Sequence, residues 1–76
     1  MKIEILGPGC AKCNALYENA KAAVQELGLD CEIVKVSDIG QMASRGVLVT
    51  PALAIDDEVR ISGKVLTVKE IVDLLG

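Results

Sequence analysis

The chain has 76 residues, 51% of them apolar, with eight basic against eleven acidic side chains and a net charge of -3. That composition predicts one small globular domain over residues 1–76 rather than disorder. It offers neither a basic nucleic-acid footprint nor, at 1% aromatic, a stacking platform for single strands. There is no His, which excludes Ser-His and Cys-His nucleophile pairs and His metal sites.

Lys2 to Leu6 alternates charge with Ile3 and Ile5, then meets Gly7-Pro8-Gly9, which predicts a strand ending in a breaker cluster. From Ala11 to Leu27 the period changes. Cys13, Leu16, Ala20, Ala23, Val24 and Leu27 fall on one helix face, and Gly28 follows where a C-terminal cap belongs. Cys31 to Val36 reads as a second strand, so the first half of the chain is a βαβ unit with parallel strands. Asp38 caps a predicted short helix through Ser44 with Ile39, Met42 and Ala43 apolar, ended by Gly46. Ala52–Ile55 and Glu58–Ser62 flank Asp56-Asp57 as a hairpin. Thr67 and Glu70 form a capping box before the stripe Val68, Ile71, Val72 and Leu75. The predicted order is β-α-β-α-β-β-α, an α/β fold with a four-stranded mixed sheet flanked by helices.

No apolar run approaches the ~18 residues of a membrane helix. The first six residues contain Glu4 and lack the long apolar region of a secretory signal, so a cytoplasmic protein without membrane contacts is expected. Three cysteines, Cys10, Cys13 and Cys31, cannot make a fully paired framework within one chain.

The chemistry concentrates in Cys10-Ala11-Lys12-Cys13, at the junction of a strand and a helix. A helix N-terminus presents unpaired N–H groups and partial positive charge, which stabilises a thiolate. The Cys10 thiol is therefore expected to titrate below the ordinary ~8.5. Lys12 adds a nearby cation as a modulating residue. A spacing of three puts both sulfurs on one side of the helix, within reach of a Cys10–Cys13 disulfide. Cys13 belongs to the apolar stripe and should be the more buried. Cys10 is then the attacking sulfur and Cys13 the resolving one. The same pair also suits a soft metal. Zinc wants four Cys or His ligands, which this chain does not supply, whereas Cu(I) needs only two thiolates. Copper or zinc binding or delivery is the competing function. A redox-sensing module without reductase turnover is a third. Cys31 reads as a small core hydrophobe, and Tyr17, one turn beyond Cys13, as helix-surface packing.

The order of strand, Cys10-Ala11-Lys12-Cys13, helix, strand, then Val49-Thr50-Pro51 before a hairpin and final helix resembles the thioredoxin and glutaredoxin superfamily. Within it the chain is most similar to the small thioredoxin-like proteins of the redox-active disulfide protein 2 type. The likeness runs over essentially the whole chain. It implies a glutaredoxin-size thioredoxin-like fold and a cis Pro51 lying against the active-site disulfide. It also implies that Thr50 offers its backbone to an extended substrate segment. The expected activity is thiol–disulfide exchange on protein disulfides, with a reductase as electron donor, no bound cofactor, and a monomeric state. Gly9 stands where typical thioredoxins have Trp, and Ala11-Lys12 where they have Gly-Pro, so the family's redox potential does not transfer. Ser62-Gly63-Lys64-Val65 does not match the glutathione grip of glutaredoxins. Copper chaperones also place CxxC after the first strand. They carry Met where this chain has Pro8, and they end on a strand rather than a helix.

Overall fold

The computed structural model describes residues 1–9 and 11–76. Four strands and three helices follow in the order β1 (Lys2–Leu6), α1 (Ala11–Leu27), β2 (Glu32–Val36), α2 (Ile39–Ser44), β3 (Ala52–Ile55), β4 (Glu58–Ser62) and α3 (Val68–Leu75). The spatial order of the sheet is β2-β1-β3-β4. β1 runs parallel to β2 and antiparallel to β3, and β3 runs antiparallel to β4. This is the mixed α/β sheet that the sequence predicts.

Local chemistry explains the boundaries. α1 ends in a Schellman arrangement. Gly28 takes φ +64, its N–H donates to Gln25 O at 3.2 Å, and Leu29 N–H donates to Val24 O at 3.1 Å. Gly46 does the same for α2 at φ +74, with Gly46 N–H donating to Ala43 O and Val47 N–H to Met42 O. α2 begins at Asp38, whose carboxylate accepts from Gln41 N–H at 3.1 Å. Both arms of the Thr67–Glu70 capping box form at the start of α3. Asp56 and Asp57 have φ of +48 and +70, the two left-handed residues of a tight hairpin turn. The second strand starts at Glu32, one residue later than expected. Its N–H donates to Met1 O, and the parallel ladder begins at the Lys2–Glu32 pair.

The alternation of β1 divides the core. Ile3 and Ile5 join Leu16, Ala20, Ala23, Val24, Leu53 and Ile71 beneath α1 and α3. Leu6 joins Val36, Met42, Val47, Ala52 and Ala54 on the α2 face. A register shift in β4 lets Val59 pair with Ala54 and Ile61 with Leu53. Arg60 is the extra residue, so Val59 and Ile61 serve opposite faces despite their spacing of two. α2 departs from expectation in one respect. Of Ile39, Met42 and Ala43 only Met42 is buried, because a six-residue helix turns just one row of side chains onto the sheet.

Candidate functional site

The site lies where β1 hands over to α1. Gly7 prolongs the parallel ladder, donating its N–H to Val36 O at 2.9 Å. Gly9 then takes φ +85, a conformation open to glycine, and the chain turns toward the first residue of α1. Cys10 falls outside the described residues, and with it the exposure of its thiol and the Cys10–Cys13 disulfide. Cys13 occupies the first turn of α1 and is 4% exposed, at the site end of the helix's apolar stripe.

Gly7 is the residue that sequence reasoning missed. It reads as a chain breaker, yet its role is steric. A Cβ built at Gly7 would overlap Cys13 Sγ, and would stand 3.4 Å from Cys13 Cβ and 3.7 Å from Thr50 Cβ. The Cys13 and Thr50 side chains therefore meet over the space that a side chain at position 7 would fill. Only a pattern of close backbone approach marks such a glycine, and that pattern is three-dimensional.

The Thr50–Pro51 peptide is cis. Pro51 is fully buried, and its carbonyl accepts from Gly63 N–H at 2.8 Å, fastening the loop before β3 to the end of β4. Thr50 makes no backbone hydrogen bond to another described residue. Cys13, Thr50 and Pro51 are thus brought together from both halves of the chain, while Lys12 is exposed on α1.

The other expected features fall away from this point. Cys31 lies just before β2, where burial pushes its thiol up from the ordinary value against the opposing pull of the N-terminal ammonium. A raised thiol is a poor nucleophile at neutral pH. Tyr17 is half-buried against the α1/α3 core. The Lys35 ammonium stands 4.5 Å from its ring centroid, and that of Lys21 5.4 Å away. Lys35 also donates to Asn14 Oδ1 at 3.1 Å. Beside β4, Lys64 pairs with Glu70 at 2.8 Å, and this hydrogen bond holds the Glu70 carboxyl below its ordinary range. No group of three or more His, Cys, Asp or Glu forms a metal-ligand cluster among the described residues. Nor is any described helix long and apolar enough to cross a membrane.

The family described as a thioredoxin domain matches residues 1–76. A thioredoxin of Methanocaldococcus jannaschii is 54% identical over 69 residues, covering 91% of this chain and 79% of that protein. A thioredoxin of Methanothermobacter thermautotrophicus is 44% identical over 76 residues, covering 100% of this chain and 99% of the relative. With a family match along its whole length and relatives this similar, the chain belongs to the thioredoxin family of thiol–disulfide oxidoreductases.

Proposed function

We propose that residues 1–76 act as one thioredoxin-like domain that reduces protein disulfides through Cys10 and Cys13. The observation that carries this reading is the meeting of Cys13 and Thr50 over Gly7. A buried cysteine sulfur at a helix start beside Thr50, whose backbone makes no hydrogen bond to another described residue, is what a resolving cysteine next to a bound peptide requires. Cys10 thiolate attacks one sulfur of the target disulfide. A mixed disulfide forms, and the other target sulfur leaves as a thiolate. Cys13 thiolate then attacks Cys10 Sγ and releases the second target sulfur, leaving a Cys10–Cys13 disulfide. Two electrons pass to the target, and its two thiolates take up two protons. A dithiol reductase restores the pair. No bound cofactor enters, since the sulfurs hold both electrons. Thr50 supplies backbone groups to an extended target segment, as a short strand addition.

Alkylation and mass measurement across thiol/disulfide buffers tests the assignment. A two-electron transition confined to Cys10 and Cys13 is expected. Cys10→Ser is expected to abolish reductase turnover, and Cys13→Ser to accumulate mixed disulfides. A Cys10→Ser variant with full turnover would overturn the reading. Native mass spectrometry of protein purified without chelator tests the soft-metal alternative. One bound copper or zinc per chain, lost in Cys10→Ser, would redirect the function to metal carriage.

A further inference from the structure

Lys35, near the end of β2, sends its side chain across to α1. Its ammonium donates to Asn14 Oδ1 at 3.1 Å and stands 4.5 Å from the centroid of the Tyr17 ring. Both partners are neutral, so they hold the ammonium in place without cancelling its charge. The ion pairs among the described residues are Lys21–Glu18, Arg45–Glu4 and Lys64–Glu70, and neither Lys35 nor Lys12 belongs to one. Both lysines are exposed at the thiol end of the fold. Lys12 directly precedes Cys13, and Asn14, which holds Lys35, directly follows it. The far end of the sheet has the opposite sign. There the last turn of α1, its connection to β2 and the β3–β4 hairpin expose Glu26, Asp30, Glu32, Asp56, Asp57 and Glu58. The parallel β1–β2 register and the hydrogen bonds between Lys2 and Asp56 bring these segments to one end.

Resting on the exchange reading above, we propose that Lys35 and Lys12 form a docking point for carboxylates that flank the disulfide of the protein substrate. Three observations point to that partner. A lysine ammonium has three N–H donors, and Asn14 takes one from Lys35, which leaves donors for an incoming carboxylate. The Lys35 side chain is already ordered by Asn14 and Tyr17, so binding an anion immobilises little more of it. The charge is also polarised. A chain of net charge -3 repels an acidic partner from its far end and admits it at the thiol end, which makes the encounter directional. A nucleic acid or an anionic membrane fits less well, since either calls for a run of cations and would meet the carboxylates of the far end. A second copy presenting its own acidic end to Lys35 is the competitor that the experiment separates.

The test uses disulfide-bonded peptides that differ only in carrying Glu, Gln or Lys at the same positions beside the target cysteine. With the wild-type chain at about 20 mM ionic strength, Glu is expected to raise kcat/KM about fivefold over Gln, the scale of one or two exposed ion pairs. Lys is expected to fall below Gln. The peptides should converge to within about twofold at about 0.5 M salt, where exposed charges are screened. The Glu-over-Gln ratio should drop below about twofold in Lys35→Met and recover in Lys35→Arg, which restores the charge. It should persist in Lys69→Met, the same loss of charge on α3 and outside the cluster. A ratio near one in the wild type, or one unchanged in Lys35→Met, overturns the proposal. So does a ratio lowered equally by Lys69→Met, which would assign the effect to overall charge. Association of the wild-type chain in low-salt sedimentation that both Lys35→Met and Asp56→Asn/Asp57→Asn dissolve would assign the cation to a second copy, and likewise overturn it. Absence of turnover on every peptide and on bis(2-hydroxyethyl) disulfide would instead defeat the exchange reading itself, and the proposal with it.

Discussion

The two faces of the sheet are built to different standards. Under α1 and α3 the side chains are large and sealed: Ile3, Ile5, Leu16, Leu53 and Ile71 are all essentially inaccessible. The α2 face has alanines at 52 and 54, a single methionine from its helix, and a charged pair set into it. Arg45 Nη1 stands 2.8 Å from Glu4 Oε1, yet neither Glu4 Oε1 nor Arg45 Nη2 has a hydrogen bond of good geometry. The contact is coulombic rather than directional. The same face leaves Ile39 and Leu48 uncovered. One side of the sheet concentrates the apolar burial that holds a 76-residue chain together. The other gives up part of that burial and leaves apolar side chains open to solvent.

The sharpest way to break this contrast is to hollow out the sealed side. Leu16→Ala should cost about 3 kcal/mol, visible as a large drop in the urea midpoint. If it costs less than Met42→Ala on the other face, the contrast fails. Glu4→Gln comes next. It leaves Arg45 mostly buried without a counter-charge, and a loss of about 2 kcal/mol is expected, tempered by the partial exposure of the guanidinium. Glu4→Leu combined with Arg45→Met should recover most of it, because a buried ion pair is often replaceable by apolar groups. Removing the α3 cap with Thr67→Ala should cost about 1 kcal/mol, lowering Tm by several degrees.

The smallest effect is a pH dependence. The Glu70 carboxyl titrates below its ordinary range because Lys64 and the Thr67 backbone hydrogen-bond its charged form. A lowered folded-state value means the stabilisation is present above the unfolded-state value. It is lost as pH falls through the folded-state value. The Tm gap between wild type and Glu70→Gln should therefore be open at pH 7, close below the carboxylate range, and narrow in high salt. A gap unchanged at pH 3 would show that the carboxylate charge is not its source.

Local signals made most of the fold legible. The stripe of α1, the caps at Asp38 and Thr67, and the paired aspartates of the hairpin each fix geometry within a few residues. Cys13 could be placed as a buried residue at a helix start for the same reason. The association of Thr50 and Pro51 with the thiol site was reachable only through the family resemblance, because nothing near Thr50 in the sequence refers to Cys13. What could not be read was set by contacts between distant segments. The space left by Gly7 has meaning only once α1 and the loop before β3 close over it. Ile39 looks like a core residue by composition, and its outward position follows from how little of α2 meets the sheet. The Arg60 bulge is invisible in a run that alternates normally.

That bulge also bears on how these molecules behave in a crowded solution. β4 is the outer strand on its side of the sheet, and an open, regular strand is a template onto which another chain can crystallise or fibrillise. The irregular register at Arg60, with the exposed charges of Glu58 and Arg60, spoils the even spacing of donors and acceptors that such growth copies. The residue that lets Val59 and Ile61 serve two cores is thereby also a colloidal safeguard, and straightening this strand by deleting it should lower the concentration at which the protein precipitates.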